Sequence, residues 1–190
     1  HSGLGTAAER AWTDRSKAPG NEVVRLRRVR VHAADGQTAE AIDIRQPVGL
    51  EMEFEVLQAG HVLVPNFGLY NEEGVLLFIA VDSDPAWRGK ERTVGRHTST
   101  AWIPGNFFAE GSLTVNAALS TFDPVYVHAS ETEAVAFQVV DSMDGDSARG
   151  GFAGVMPGVI RPLLRWENKF SGDEAFAPEM SPATTTAHLS

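Results

Sequence analysis

Alternation of apolar and polar residues with a period of two restricts the fold of this chain most. Leu50, Met52, Phe54 and Val56 alternate with Glu51, Glu53 and Glu55. Successive side chains of a β-strand point to opposite faces, so this run predicts a strand with one buried face and one exposed, charged face. Further strands are predicted at Val23–Val31, Ala39–Ile44, Val62–Tyr70, Val75–Val81, Thr93–Ile103, Leu113–Leu119, Val125–Ala129 and Val135–Val139.

Turn-forming residues separate these runs, and helix signals are almost absent. Asn71–Gly74, between two apolar runs, predicts a hairpin. Thr6 and Glu9 have the spacing of a capping box, so we expect one short N-terminal helix that ends before Pro19. Many short strands predict an all-β, antiparallel β-sandwich, and uneven strand lengths favour a sandwich over a barrel.

Composition excludes several classes of function. The chain has 190 residues, no cysteine and a formal net charge of −9. That charge repels phosphate backbones, so no nucleic-acid partner is expected. The lack of cysteine excludes disulfides and thiolate metal sites. No apolar run approaches the roughly 20 residues of a membrane-spanning helix.

Motifs for catalysis or cofactor binding are not found in the sequence. Gly89-Lys90 is followed by Glu91, so it is not a phosphate-binding P-loop. The histidines lack the spacing of a zinc motif, and the acidic turn at 141–146 lacks the EF-hand pattern, so a solvated loop is favoured over a calcium site. We predict no catalytic residue, no metal and no cofactor, although paired carboxylates leave a glycoside-processing enzyme as an alternative.

A set of polar and aromatic residues lies on the strands and loops where solubility alone would favour charged side chains. Aromatic rings stack on the C–H faces of sugars, and amides, phenols and imidazoles bond to sugar hydroxyls. The pattern therefore predicts a carbohydrate-binding surface. The alternative is a second sandwich face covered by loops, in which these residues only pack. The predicted site residues are Asn66, Tyr70, Trp87, Trp102, Asn116, Tyr126 and His128.

Two stretches carry a resemblance to a known family. The first runs from Glu9-Arg10-Ala11-Trp12 through Ala18-Pro19-Gly20-Asn21-Glu22. The second joins Asp146-Ser147-Ala148-Arg149-Gly150 to Pro157-Gly158-Val159, Pro162 and Trp166. Together they resemble the C-terminal domain of Wzt-type proteins, the ATP-binding subunits of ABC transporters that export O-antigen and related polysaccharides. Trp102 stands where the resemblance leads us to expect a small residue.

The resemblance implies an immunoglobulin-like, jelly-roll-like β-sandwich that binds the export-ready polysaccharide at its non-reducing end. It also implies a homodimer in which the last strand, about 158–167, is exchanged between protomers. ATP and Mg²⁺ would bind a nucleotide-binding domain N-terminal to His1, which would contact the transmembrane permease on the cytoplasmic side of the inner membrane. The exchanged contacts would be Val159, Ile160, Leu163, Leu164 and Trp166.

This interpretation divides the chain into three parts. Residues 1–21 are a cloning remnant, starting His1-Ser2-Gly3, and a junction helix with its linker. Residues 22–168 are the β-sandwich, and 169–190 are a mobile tail rich in Pro, Ala, Thr and Ser. The alternative function is a dimerisation or assembly module of the transporter that binds no glycan.

Overall fold

Two packed β-sheets form the framework of residues 7–172, which are the residues that the computed structural model describes. The strands are β1 (Glu9–Ala11), β2 (Val24–His32), β3 (Ala41–Asp43), β4 (Val48–Val56), β5 (Val64–Asn71), β6 (Leu76–Val81), β7 (Gly95–Ile103), β8 (Gly111–Thr121) and β9 (Tyr126–Val140). A 3-10 turn spans Arg15–Lys17. The four-stranded sheet has the order β1-β2-β4-β7, and the five-stranded sheet has the order β3-β9-β8-β5-β6.

The predicted β-sandwich is confirmed, with one difference in strand direction. All pairs in the two sheets are antiparallel except β3 and β9, which run parallel, so the five-stranded sheet is mixed. The core lies between the sheets, and the apolar residues that alternate along β4 are all buried in it. Fully burying a side chain such as Phe54 contributes about 2 kcal/mol.

The hairpin between β5 and β6 forms where the sequence predicts it. The Asn71 side-chain oxygen accepts hydrogen bonds from the backbone N–H groups of Glu73 (3.0 Å) and Val75 (2.8 Å). Gly74 has a φ of 77°, in the left-handed region that glycine adopts without a steric cost.

The predicted N-terminal helix is wrong. Residues 9–11 form β1, which pairs antiparallel with β2. Ala8 and Trp12 are both buried. Because they are four residues apart, they share a face in a helix and also in a strand, and pairing with β2 decides between the two. The Glu9 carboxylate accepts a bond from Thr38 (2.9 Å), and Thr6 lies outside the described residues.

The strands predicted at Val125–Ala129 and Val135–Val139 are one long strand, β9, which is interrupted by a bulge. Glu133 in the bulge has a φ of 49°. The second segment buries its apolar face as expected. In the first, only Ala129 is buried, whereas Val125 and Val127 are 71% and 50% exposed, because the strand there extends past the core.

The glutamate face of β4 is not the exposed face that the sequence predicts. Glu51 is only 8% exposed. Its carboxylate accepts hydrogen bonds from Arg30 (2.8 and 3.0 Å) and Arg28 (3.0 Å) of β2. Arg30 thereby holds the pKa of Glu51 below its usual value. The neighbouring strand covers these carboxylates with arginine, which the sequence of β4 alone does not indicate.

The segment after β9 runs along one end of the sandwich without forming a strand of its own. Within residues 7–172, Ile160 makes an isolated bridge to Phe108, and the Leu163 N–H donates to the Asn106 carbonyl (3.1 Å). Exchange of this segment between protomers stays a prediction. The residues predicted to be a cloning remnant, and residues 173–190 of the predicted tail, lie outside the described residues. No helix in residues 7–172 is long and apolar enough to span a membrane.

Candidate functional site

A cleft opens at the side of the sandwich where the edge strands β6 and β7 lie near each other. Its volume is about 390 Å³. Its apolar part comes from Pro65, Phe67, Ala80, Val81 and Ala101. Neither strand has a further partner on its outer edge within the described residues. The inner faces of both sheets therefore meet solvent here, and we name this space the polar cleft after its other lining residues.

Hydroxyl groups, carboxylates and two indole rings complete the polar cleft. The Trp87 and Trp102 side chains line it and are 36% and 53% exposed. Its hydroxyl side chains make no hydrogen bond to another residue in the part of the chain that is described, so they are free to bond to a ligand. The hydrophilic lining residues are Asp82, Ser83, Asp84, Thr98, Ser99 and Thr100.

Arg92 fixes Trp87 at the edge of the polar cleft. The Arg92 side chain is 3% exposed, and its guanidinium carbon lies 4.4 Å from the centroid of the Trp87 ring. Its Nη2 donates to the Asp82 carboxylate (2.8 Å), and the His97 ring meets the Trp87 ring edge-on at 5.6 Å. The cation–π contact and the largely buried ion pair both lie within the 82–94 loop and fix its shape, and the Trp87–His97 contact joins this loop to β7.

Trp102 is held at the far end of the cleft by His32. The two rings meet edge-on, with centroids 5.0 Å apart. Gly49 of β4 pairs with Trp102, and a Cβ on Gly49 would lie 2.5 Å from the His32 ring. Glycine at position 49 therefore makes the space in which His32 packs below Trp102.

A second cavity adjoins the polar cleft, and we name it the loop pocket. It has a volume of about 730 Å³ and is formed by the loops at 57–63, 82–94 and 122–125, which meet at one end of the sandwich. Tyr126 lines it, at the start of β9. The loop pocket and the polar cleft share Val81, Asp82, Ser83 and Trp87.

His128 supports Tyr126 instead of lining either cavity. The two rings are 4.8 Å apart, and His61 meets His128 at 5.7 Å. The Asn21 side-chain amide donates to Nδ1 of His128 (3.0 Å), so Nε2 carries the proton and donates to Thr121 (3.3 Å). Burial, and then the neighbouring His61, lowers the pKa of His128.

The remaining predicted residues lie elsewhere, on the outer face of the five-stranded sheet. Tyr70 and Asn116 line a shallow hollow of about 450 Å³. The Asn116 oxygen accepts the Glu133 N–H (2.7 Å) in the β9 bulge, and the Asn66 amide donates to Ser120 (3.3 Å). The structure therefore brings together Trp87, Trp102 and Tyr126, with His128 behind them, and separates them from the other three.

Sequence reasoning missed the residues that organise the polar cleft. Arg92 lies in a loop with no periodic pattern, and no local signal identifies it. Thr98 and Thr100 lie on the outer face of the four-stranded sheet and Ser99 on its inner face, and all three line the cleft because β7 is the edge strand. Ser83, Asp82 and Asp84 follow β6, where an acidic turn is ordinarily interpreted as solvated.

No metal centre is found among residues 7–172, where no group of three His, Asp or Glu side chains is placed to hold an ion. Arg45 occupies the acidic turn at 141–146, where its Nη1 donates to Asp146 (2.5 Å). The same guanidinium holds the pKa of Asp43 at about 2 through hydrogen bonds. A cation of the protein thus neutralises the acidic turn.

The fold defines a two-sheet β-sandwich with an open lateral cleft and a loop pocket. Among solved structures, the crystal structure of the C-terminal domain of Wzt is similar to this chain, with a TM-score of 0.60 and 14% sequence identity. The similarity covers 80% of this chain and 86% of that one, so the Wzt-like fold is confirmed. No protein-family model matches the sequence, and no curated protein matches it.

Proposed function

We propose that this chain is a non-catalytic glycan-binding domain whose site is the polar cleft. One observation carries this proposal: the cleft has Trp87 and Trp102 in its lining, with unbonded hydroxyl side chains beside them. Exposed indole rings supply stacking surfaces for sugar rings, and the hydroxyls supply donors and acceptors for sugar hydroxyls. Arg92 makes the Trp87 platform rigid before a ligand arrives, which reduces the entropy lost on binding.

We further propose which glycan the domain binds and in which complex it works. The fold and the sequence resemblance support a Wzt-like domain of an ABC transporter ATP-binding subunit, which recognises an O-antigen-type polysaccharide at its non-reducing end for export across the inner membrane. In that setting the domain works as a homodimer on the cytoplasmic side. ATP, Mg²⁺ and the permease contact a separate nucleotide-binding domain, so the domain described needs no cofactor.

Titration calorimetry with O-polysaccharide from the same organism tests this proposal. Trp87→Ala and Trp102→Ala are each expected to weaken binding about tenfold, because each removes one stacked ring. Val127→Ala is the control, since Val127 is exposed and lines neither cavity. Equal affinity of all variants would show that the site is elsewhere, and no binding by the wild-type chain would reject the function.

Tyr70→Ala decides whether the outer face of the five-stranded sheet takes part. Unchanged affinity confines the site to the polar cleft and the loop pocket, whereas a tenfold loss places a second contact surface at Tyr70 and Asn116.

Mass analysis of the glycan after incubation with the chain separates binding from hydrolysis. A shortened glycan would show an enzyme and contradict the non-catalytic proposal.

The second candidate function is an assembly module. It is favoured by the exposed apolar side chains after β9, which expose 41–81% of their surface: Val159, Ile160, Leu163, Leu164 and Trp166. Light scattering of the chain with and without residues 158–167 tests it. Loss of a dimer, together with no detectable glycan binding by the intact chain, would favour assembly as the function.

A further inference from the structure

We infer that the polar cleft and the loop pocket hold two successive units of one neutral glycan chain, and that the loop pocket takes a 6-deoxy sugar. This inference rests on the proposed function and names the kind of sugar that it recognises. It follows from the continuity of the two cavities and from the chemical difference between their linings.

The two cavities form one groove. Four residues line both of them, and Trp87 is among these. The volumes of about 390 Å³ and 730 Å³ each lie in the range of small-ligand sites. A ligand that fills one cavity therefore meets Trp87 and reaches the adjoining cavity along the residues that both share.

The linings of the two cavities differ in polarity. The polar cleft offers hydroxyls and carboxylates, which match the hydroxyl groups of an unmodified sugar. The exposed surface that lines the loop pocket is mainly apolar, and its uncharged polar side chains include His61, Ser83, Thr121 and Tyr126. A primary hydroxyl placed against that lining loses its hydrogen bonds to water, whereas a methyl group loses none. Its apolar residues include Val62, Leu63, Val64, Val81, Phe122 and Pro124.

The charges of the loop pocket balance, which favours a neutral ligand. Arg88 and Arg92 contribute two cations to the lining, and Asp82 and Asp123 contribute two anions. Arg92 is already paired with Asp82. Among the residues that the structure describes, the charged groups lining the polar cleft are the carboxylates of Asp82 and Asp84. A uronic acid or a phosphorylated sugar finds no surplus of positive charge in either cavity.

Pairs of sugars that differ only in the 6-hydroxyl test the inference. The probes are the methyl glycosides of L-rhamnose, D-rhamnose, L-fucose and D-fucose, each compared with its parent mannose or galactose of the same series. Binding is followed by the NMR shifts of the indole N–H groups of Trp87 and Trp102. At least one deoxy member is expected to bind about tenfold tighter than its parent and to shift the Trp87 signal, because a difference of one small group in an apolar pocket changes affinity by about tenfold or more.

Val62→Thr is the matched variant. It keeps the shape of the side chain and adds a hydroxyl to the lining, so it is expected to remove the preference for the deoxy sugar while the parent sugar binds as before. Val127→Thr is the control, because Val127 is exposed and lines neither cavity.

A disaccharide of L-rhamnose and D-mannose is expected to shift both indole signals, whereas a monosaccharide in the loop pocket shifts only that of Trp87.

The results separate this inference from the proposed function. Equal affinity for the deoxy and parent sugars, or a preference that survives Val62→Thr, overturns the inference and leaves the glycan-binding function in place. A disaccharide that shifts only Trp102 also overturns it. If neither the sugars nor the O-polysaccharide shifts either indole signal, the function is rejected together with the inference.

Discussion

The outer face of the four-stranded sheet and the polar cleft both carry polar side chains. Only on the outer face do these side chains bond to one another. On the outer face, which we name the charged face, arginines and glutamates of β2, β4 and β7 pair with one another. Glu51 pairs with Arg28 and Arg30, and Glu53 pairs with Arg28 and Arg96. In the polar cleft the hydroxyls have no partner among residues 7–172, and the indole rings are part-exposed.

This difference shows why abundance of polar groups is a poor guide to a binding site. A carboxylate that already accepts three hydrogen bonds gains little from a ligand, because each new bond must replace an existing one. A hydroxyl that bonds only to water exchanges that bond at little cost and gains the stacking of the neighbouring ring. The charged face stabilises the fold, and the polar cleft remains available for recognition.

His32 joins the two regions. Its Nδ1 donates to the Ala33 carbonyl (2.9 Å), and its Nε2 lies 3.8 Å from the Glu51 carboxylate. Its ring also supports Trp102 of the cleft. One buried ring therefore contacts both the charged face and the cleft.

The largest effect is expected from Arg92, the one arginine that is buried beneath the cleft. Arg92→Met removes the partner of Asp82 and is expected to lower the free energy of unfolding by about 3 kcal/mol. Arg96→Met on the charged face removes an arginine whose side chain is 59% exposed, and it is expected to cost under about 1 kcal/mol. Urea denaturation measures both, and equal losses would contradict the distinction between the two regions.

A smaller loss is expected from Gly49→Ala, which acts at the junction of the regions. The new Cβ would lie 2.5 Å from the His32 ring, so the ring must move, at a cost of about 2 kcal/mol. Because His32 supports Trp102, glycan affinity is expected to fall as well. Gly151→Ala is the control, since nothing lies within 4 Å of its added Cβ. Unchanged affinity in Gly49→Ala would show that His32 does not position Trp102.

The charged face is expected to make the free energy of unfolding depend on pH. Because Arg30 lowers the pKa of Glu51 in the folded state, Glu51 stabilises the fold above its unfolded pKa of about 4.5. That contribution is lost as the pH falls through the lower, folded pKa.

Glu51→Gln is expected to cost about 1 kcal/mol at pH 7 and to flatten the loss of stability below pH 4.5, as measured by urea denaturation across pH. Glu40, which is exposed and forms no ion pair in the described part of the chain, supplies the control Glu40→Gln. If Glu51→Gln lost stability below pH 4.5 as steeply as the wild-type chain, other carboxylates would be responsible for the acid sensitivity.

The smallest expected effect is on tryptophan fluorescence. Acrylamide quenches the fluorescence of exposed tryptophans. Trp12 is 3% exposed and is protected from it, whereas Trp166 is 81% exposed. O-polysaccharide is expected to reduce quenching by covering Trp87 and Trp102. The reduction should persist in Trp166→Phe and disappear in the double variant with phenylalanine at 87 and 102. A reduction that survives the double variant would place the glycan elsewhere.

The strands were predictable where the apolar period is local and unambiguous. The alternation along β4 and the Asn71–Gly74 turn need no distant partner to be interpreted. The N-terminal segment was not predictable, because Ala8 and Trp12 share a face in either secondary structure. Val125 and Val127 are exposed although their alternation is that of a half-buried strand, because alternation does not show where a strand leaves the core.

The candidate site was predictable only in part. Trp87, Trp102 and Tyr126 stand out as aromatic residues on strands and loops, and the structure gathers them around one groove. Asn66, Tyr70 and Asn116 have the same residue chemistry and lie on another face. Residue type identifies side chains that suit a sugar, but it does not show which of them share a surface.

The sequence by itself determined an all-β chain with charged strand faces, a β5–β6 hairpin and no basic surplus for nucleic acid. Each of these follows from local periodicity, turn chemistry or composition. Only the tertiary structure decided that β6 and β7 lie beside each other, that Arg92 is buried beneath Trp87, and that Arg28 and Arg30 cover Glu51. These contacts join residues distant in sequence, and packing of the two sheets selects them.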